Sequence, residues 1–471
     1  MHNPAHASPD SSRPSRWRAA LPWIAFGLLL VVPPCLSNQS WLVAWLAQTA
    51  AMIVFALSYN LLLGGVGLLS FGHAASSGIG ALIAAHLFNR VGMPLPLLPL
   101  VGGVGGALFG ALYGLVATRR AGTAFAMITL GIGELVAAAA WTLPDWFGGE
   151  AGVAIDRTAG FALPGLTFGP AREAYALIAL WCVLAVLAMQ ALWRTPFMRL
   201  AHAVRDNPAR AAAIGCFPRR VRYEMVVWSS FFAGIAGTLG LINVELVSTE
   251  SVGMLRSGSV LIATVIGGSG VFFGPVVGAV VLTFFSVVVA SVTHAWLWYL
   301  GLFFVVVVVS APDGIAGFLQ RQTARCARNG WRASLPSLAA RTVGACAWSL
   351  TAVLCVQWAY AQRFGTEERA RIVVTSGSAS LAAAVLALAA VGWLSVRAAA
   401  RIDRRRASDK SADESAGQSA GKSVTDKSAD ESADKSVTDK SADKSTNKST
   451  DGSVADKSTD KSTDKSAGAP R

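Results

Sequence analysis

Charged side chains are scarce in this sequence, and their scarcity limits the class of protein that it encodes. Only 14% of the 471 residues are charged, whereas 53% are hydrophobic. A soluble domain carries about 25% charged residues. A water-soluble fold does not easily hide this much apolar sequence, so the composition predicts an integral membrane protein.

Lysine is absent from residues 1–406, which contain 29 arginines and 14 acidic residues. The phosphate-binding loop of ATPases has the pattern GxxxxGK[ST], in which the lysine reaches the phosphates. The nearest match, AGQSAGKS at 416–423, lacks the first glycine and lies in low-complexity sequence. We therefore expect no cofactor bound to this chain. If ATP drives its function, separate partner subunits hydrolyse the ATP.

Metal-ligand and catalytic patterns are also missing from the sequence. The six cysteines form no CxxC pair, and no histidines cluster at ligand spacing. No pattern of a nucleophile beside a base is visible either. We therefore expect no metal site, no disulfide framework and no enzyme activity, and we interpret the cysteines as small apolar residues.

Long apolar runs, in contrast, recur along the chain. A span needs roughly 20 apolar residues to cross about 30 Å of hydrocarbon. The sequence predicts an all-α integral membrane protein with about 10 core transmembrane helices in 20–320, plus a C-terminal two-helix hairpin in 342–396 and a disordered tail. The core spans are expected near 20–36, 41–63, 73–88, 95–117, 124–143, 173–193, 224–247, 257–275, 276–292 and 295–311.

The arginines predict the orientation of these spans, because positive charge is retained on the cytoplasmic side. The arginine-rich segments are 13–18, 119–120, 194–222, 321–341 and 397–406. If the N-terminus is inside, counting through the spans returns every one of these segments to the inside. Residues 1–19 are then a cytoplasmic N-terminal segment, residues 321–341 a basic cytoplasmic linker, and both termini are cytoplasmic.

The end of the chain is a different kind of sequence. Residues 407–471 repeat Asp-Lys-Ser eight times and contain no aromatic residue. Such a segment does not bury enough surface to offset its chain entropy. We therefore expect residues 397–471 to be a basic stretch followed by a low-complexity disordered tail.

Two glycine-rich stretches are candidates for the translocation path: YNLLLGGVGLLSFGHAASSGIGALIAAH at 59–86 and SGSVLIATVIGGSGVFFGPVVGAVVL at 257–282. Glycine lets helices approach closely, and it also permits irregular backbone at membrane depth where it lines a cavity. In 59–86, plain helix packing and a broken segment beside the path are both open readings. In 257–282, Gly274 and Pro275 make a continuous helix improbable, and the open alternatives are a short cytoplasmic turn between spans, a re-entrant break and a plain interhelical loop. The candidate residues are Gly64, Gly65, Gly67, Gly72, Gly78, Gly267, Gly268, Gly270, Gly274 and Pro275.

Glu134 joins the path candidates because it lies within the apolar run AFAMITLGIGELVAAAAW. Intramembrane carboxylates are costly and usually face a cavity or a partner. The alternative is a residue at the boundary of the span, which is the interpretation that we favour for Glu245. His73 and His86 are lone histidines, and we interpret them as packed, hydrogen-bonded side chains.

An arginine-rich stretch, RDNPARAAAIGCFPRRVRYE at 205–224, lies between two long apolar segments. Asp206 or Asn207 can cap a helix whose first turn holds Pro208, and Gly215 can end that helix. The product is a short amphiphilic helix across the inner membrane face. It is either an anchoring loop held by lipid phosphates or, as we favour, a rigid element that inserts into a cleft on a cytoplasmic partner.

These stretches together resemble permeases of branched-chain amino-acid ABC transporters, of the LivM/LivH type. The similarity includes RDNPARAAAIG at 205–215, IGGSGVFFGPVVGA at 266–279 and PDGIAGF at 312–318, and it covers about residues 20–320 in the order typical of that family. The resemblance implies that residues 205–215 form the loop that docks on an ATPase. The residues expected in that coupling loop are Arg205, Asp206, Asn207, Pro208, Arg210, Ala211, Ala212 and Gly215.

The resemblance also implies the setting and the partners. It implies a subunit of the bacterial inner membrane that pairs with a second permease, two cytoplasmic ABC ATPases and a periplasmic solute-binding protein, and that carries amino acids without binding nucleic acid. Related permeases serve urea and short amides, so those substrates stay open. A self-contained secondary transporter is the other alternative; it would need several charged residues at bilayer depth for ion coupling.

Overall fold

The computed structural model of this chain describes residues 16–36, 39–159, 168–293 and 295–329, together with 344, 351, 387, 390–395, 397, 398 and 401. The predicted hairpin at 342–396 and the predicted tail at 397–471 lie mostly outside the described residues and stay predictions. The described part is almost entirely helical.

Helices account for nearly all regular structure in the described residues. The helices are α1 Arg16–Leu36, α2 Ser40–Asn60, α3 His73–Val91, α4 Leu98–Ala117, α5 Thr123–Thr142, α6 Pro144–Phe147, α7 Ala171–Trp193, α8 Pro196–Asp206, α9 Pro208–Ala213, α10 Pro218–Val244, α11 Met254–Gly267, α12 Gly274–Thr283, α13 Ala290–Val292, α14 Trp296–Ser310 and α15 Gly314–Asn329. Two π-helical turns, Leu61–Val66 and Phe284–Val289, extend α2 and α12, and 3-10 turns lie at Leu95–Leu97 and Thr249–Ser251.

A helix lies at each of the ten predicted core spans, but the helices differ in their suitability to cross a membrane. Six described segments are long and apolar enough to do so, and a seventh is the pair Trp296–Ser310 and Gly314–Thr323, which is bent by 43°. α1 contributes a shorter apolar segment, Leu21–Leu36, and α11 has only 14 residues. The number of crossings therefore stays a prediction.

Two boundaries differ from the sequence prediction. The span expected at 257–275 is wrong at its end, because α11 stops at Gly267 and a turn occupies 268–273 before α12 begins at Gly274. Gly268 has a φ of +103°, far from the helical value, so α11 ends there. Glycine adopts this conformation readily, whereas residues with a Cβ rarely do. The span expected at 224–247 starts earlier than predicted, at Pro218.

A small β-pair departs from the purely helical prediction. Strand β1, Val153–Ala154, pairs antiparallel with β2, Leu246–Val247, in the register Val153↔Val247. No residue pattern indicated this pair, because two residues per strand are too few for an alternating pattern. The pair connects the loop after α6 to the end of α10, two segments that the arginine pattern predicts on the outer side.

α2 is the centre of the packing. Every residue from Ala50 to Asn60 is buried, as expected of a helix that is apolar on all sides. α3, α4 and α10 pack together through glycines: a Cβ on Gly234 would collide with the carbonyl of Gly102, and one on Gly80 would lie 2.7 Å from Gly234 Cα. Small residues thus bring these three helices to backbone contact.

Candidate functional site

The arginine-rich stretch folds as two short helices, α8 and α9, joined at Asn207. The Asn207 side-chain oxygen accepts a hydrogen bond from the backbone N–H of Arg210 at 2.9 Å, and Pro208 occupies the first helical position. Gly215, with a φ of +85°, follows the end of α9. The local structure predicted from the sequence is therefore confirmed, with Asn207 rather than Asp206 as the cap.

Most of this loop is exposed, and one residue holds it in place. Ala211 is buried and its carbonyl accepts the N–H of Cys216 at 3.1 Å. Ile214 and Phe217 are 73% and 74% exposed, so two large apolar side chains extend from the loop. The other predicted loop residues, namely Arg205, Asp206, Asn207, Pro208, Arg210, Ala212 and Gly215, are all exposed.

Arg205 connects the loop to the first glycine-rich stretch. Its Nη1 donates to the carbonyl oxygen of Gly64 at 2.6 Å, and its Nε pairs with Asp206 Oδ1 at 3.1 Å. A Cβ on Gly67 would lie 2.9 Å from Arg205 Cγ. Gly67 has a φ of +69° and ends the π-helical turn that extends α2. The arginine stem thus lies across this turn.

The two glycine-rich stretches meet at the same place. A Cβ on Gly64 would lie 2.5 Å from the backbone oxygen of Ser269, in the turn between α11 and α12, and 2.5 Å from Asn60 Oδ1. Only hydrogen fits there. Residues predicted separately for the coupling loop and for the path are therefore neighbours. Arg205 contacts Gly64, and Gly64 contacts the 268–273 turn.

A second connection runs through aromatic rings and was missed by the sequence reasoning. The rings of His202 in α8 and Trp193 in α7 lie 5.3 Å apart, and those of Trp193 and Phe272 lie 5.6 Å apart. Phe272 is part of the 268–273 turn. Burial, and then the charge of Arg205, lower the pKa of His202 below its ordinary value, against a smaller opposing effect of Asp206.

The remaining path candidates are placed where helices touch. A Cβ on Gly72 would collide with Thr129 O, one on Gly78 with the Val252 side chain, one on Gly267 with Gly274 O and one on Gly274 with Gly268 O. Gly65 faces Met198 and Met225, and Pro275 is buried in the first turn of α12. A Cβ on Gly270 would meet nothing within 4 Å among the described residues. These contacts show close packing; a role in lining the path stays a prediction.

The acidic residues singled out from the sequence have different surroundings. Glu134 is exposed on α5, and no ion pair or hydrogen bond of its side chain is seen among the described residues. Glu245 lies just past the end of α10 and pairs with Arg157 at 2.5 Å. The interpretation of Glu245 as a boundary residue is confirmed.

His73 begins α3 and is fully buried, as expected of a packed histidine. Its Nε2 lies 3.0 Å from Ser58 Oγ, its ring stacks on Phe55 at 5.4 Å, and it meets Tyr59 edge-on at 5.3 Å. Its Nδ1 has no hydrogen-bond partner among the described residues. His86 contacts the Trp146 carbonyl through Nε2 at 2.6 Å.

The sequence reasoning also missed Arg256, in the first turn of α11. The guanidinium carbon lies 5.6 Å from the centre of the Phe55 ring. The available signal was an arginine within an otherwise apolar and small-residue run, which is unusual in a membrane segment. Among the described residues, no group of histidine, cysteine and acidic side chains is arranged to hold a metal ion.

Comparison with known proteins places this geometry in context. A family described as "Branched-chain amino acid transport system / permease component" matches residues 41–311. The chain is 27% identical over 288 residues to the high-affinity branched-chain amino acid transport system permease protein LivM of Escherichia coli, covering 57% of this chain and 68% of that protein. Against the LivM protein of Salmonella typhimurium it is 28% identical over 290 residues, with the same coverage. No solved structure matches.

Proposed function

This chain belongs to the branched-chain amino acid transport system permease family, whose model matches more than half of it, and we propose that it carries branched-chain amino acids across the bacterial inner membrane. As a permease of an ABC importer it contributes the membrane-spanning part. We propose that two separate cytoplasmic ATPases supply the energy, and that a second permease and a periplasmic binding protein complete the transporter.

One observation supports energy transfer from separate ATPases above the others: Arg205 hydrogen-bonds Gly64 while most of its loop is exposed. A force applied to α8 and α9 reaches the π-helical turn after α2 directly, and the 268–273 turn through Ser269 and Phe272. The contact between Gly64 and the backbone of Ser269 has no side chain between the two segments that could absorb the displacement. Such packed elements shift between discrete arrangements instead of deforming continuously.

We infer that Ile214 and Phe217 are the contacts that enter an ATPase cleft. Both are largely exposed and stand on a capped loop anchored by Ala211. Exposed aromatic and aliphatic side chains on a rigid element are typical anchors of protein interfaces. An anchoring loop for lipid phosphates would need only the arginines. ATP binding would then close the ATPase dimer and move the loop.

The orientation with both termini inside is part of the proposal. Two contacts each join segments that the arginine pattern assigns to the same side of the membrane. Arg205 bonds Gly64 on the inner side, and Arg157 pairs with Glu245 on the outer side. Labelling a cysteine at position 210 with an impermeant reagent tests it. Modification from the cytoplasmic side is expected, whereas modification in intact cells would reverse the topology.

The function itself is tested by reconstitution with candidate ATPases, a second permease and a binding protein from the same organism. Radiolabelled leucine is expected to accumulate only with ATP inside the vesicles and binding protein outside. Urea and acetamide, offered in the same vesicles, distinguish the other substrates of related permeases. Uptake by this chain alone on an ion gradient would instead identify a secondary transporter.

A further inference from the structure

Arg256 carries a charge that the described residues do not neutralise. Its guanidinium has five N–H donors, yet the structure gives its side chain no hydrogen bond and no carboxylate within 4 Å in the described part of the chain. Two arginines discussed above differ: Arg157 pairs with Glu245, and Arg205 with Asp206.

The position of Arg256 makes this lack of a partner costly. Its guanidinium lies over Phe55, which is the sixteenth residue of the 27-residue span Ser40–Val66. At 1.5 Å per residue, Phe55 is about 22 Å from the start of that span and near its middle. A charged side chain at such depth normally faces a cavity or pairs with an opposite charge.

The position of α10 that faces the guanidinium is a glycine. A Cβ on Gly240 would meet only Arg256 Nη2 among the described residues, at 3.7 Å, so Gly240 places no side chain on the cation. The Phe55 ring attracts the guanidinium by a cation–π contact. The guanidinium N–H groups, which no described residue accepts, match a planar, two-oxygen acceptor.

A second polar atom without a partner lies against the same ring. His73 stacks on Phe55, is fully buried, and has no partner for Nδ1 among the described residues. Two polar groups that the described residues leave unsatisfied therefore lie on one aromatic ring: the half-buried guanidinium of Arg256 and the enclosed imidazole of His73.

We propose that Arg256 binds the α-carboxylate of the amino acid inside the membrane, a recognition site that rests on the proposed function and deepens it. The bond is a bidentate ion pair between the guanidinium and the two carboxylate oxygens, with Phe55 keeping the cation in place. The site selects molecules that carry a free carboxylate. The same chemistry has one other source, an acidic side chain of the second permease.

The first arm of the test compares Arg256→Gln and Arg256→Lys in the complete reconstituted transporter, with radiolabelled leucine as the probe. We expect Arg256→Gln to lower uptake about tenfold, because a charge-assisted bidentate contact is lost, and Arg256→Lys to retain an intermediate rate. Arg90→Gln, an exposed arginine at the end of α3, makes the same change in net charge and should transport normally.

The second arm measures protection. Gly240→Cys, in a chain that keeps Arg256 and whose six native cysteines are replaced by serine, places a thiol beside the guanidinium. This thiol is labelled with an uncharged methanethiosulfonate. Leucine should slow the labelling about tenfold, since it occupies the site, whereas leucinol, which lacks the carboxylate, should not.

The possible outcomes test the carboxylate site and the proposed function separately. Equal protection by leucine and leucinol, or wild-type uptake by Arg256→Gln, would overturn the proposal. Loss of the second permease on purification of Arg256→Gln would assign the carboxylate to that subunit and would also overturn it. If the wild-type transporter takes up no leucine at all, the proposed function fails instead, before any variant is compared.

Discussion

Arg205 donates a hydrogen bond from Nη1 to the carbonyl oxygen of Gly64 at 2.6 Å, and so joins two segments separated by 141 residues. The donor stands on the exposed arginine loop, and the acceptor lies within the π-helical turn that extends α2. We propose that this bond transmits movement from the ATPase side to the membrane. Its loss should therefore affect coupling more than folding.

Replacing Arg205 with glutamine is expected to lower leucine uptake per ATP hydrolysed about fivefold, because a bond of about 1 kcal/mol changes an equilibrium by roughly that factor. Uptake and ATP hydrolysis are measured in the same proteoliposomes. Asp206→Asn is the matched control, since it removes the neighbouring exposed charge and leaves the bond to Gly64. An equal loss in both variants would attribute the effect to loop charge.

The Asn207 cap predicts a second effect, on local order. Replacing Asn207 with alanine should destabilise α9 by about 1 kcal/mol, because the Arg210 N–H loses its acceptor. Hydrogen exchange of the amides at 209–213 should then quicken about fivefold. Asn207→Ser keeps an acceptor and should restore slow exchange. Unchanged exchange in Asn207→Ala would show that the anchored Ala211, and not the cap, holds the loop.

Gly215 allows the chain to turn after α9. At a φ of +85° a β-branched residue is strained, at a cost of order 1–3 kcal/mol. Gly215→Val should therefore displace Ile214 and Phe217 and reduce binding-protein-stimulated ATP hydrolysis, with normal insertion. Ala213→Val adds comparable bulk at an exposed helical position and should have a smaller effect. Comparable losses in the two variants would mean that bulk, and not backbone strain, is responsible.

Local features were predictable from the sequence, whereas tertiary ones were not. Asn207, Pro208 and Gly215 act within one turn, so their residue types were sufficient to predict the capped helix. A break was predictable within 257–282, but its position depends on the backbone angle at Gly268, which the residue pattern does not determine. The contacts of Arg205 with Gly64 and of Arg256 with Phe55 join distant segments, and no local pattern encodes them.

His202 predicts a pH dependence. Its pKa is lowered mainly by burial and then by the charge of Arg205. Below about pH 6.5, His202 is therefore protonated to a smaller extent in the folded chain than in the unfolded chain. Stability present above that pH is therefore lost as the pH falls toward the lowered pKa. The unfolding midpoint of the purified protein should drop more between pH 7 and 5 than that of His202→Gln. Equal drops of the unfolding midpoint in the two proteins would mean that a group other than His202 causes the pH dependence.

The glycine contact between α4 and α10 provides the last prediction, which concerns the packing on which the coupling contacts depend. A Cβ on Gly234 would collide with the backbone oxygen of Gly102, an atom that no change of rotamer can move aside. Gly234→Ala should therefore cost about 1–3 kcal/mol, as overpacking does, and lower the thermal unfolding midpoint in detergent.

Gly131→Ala is the matched control for that change. Gly131 also lies within an apolar span, yet a Cβ there meets nothing within 4 Å in the described residues. This variant should match or slightly exceed the wild-type midpoint, because alanine favours the helix by up to about 1 kcal/mol. If both variants lost stability equally, the helices would need glycine for backbone freedom. A loss confined to Gly234→Ala would show that they need it for the close approach of α4 and α10.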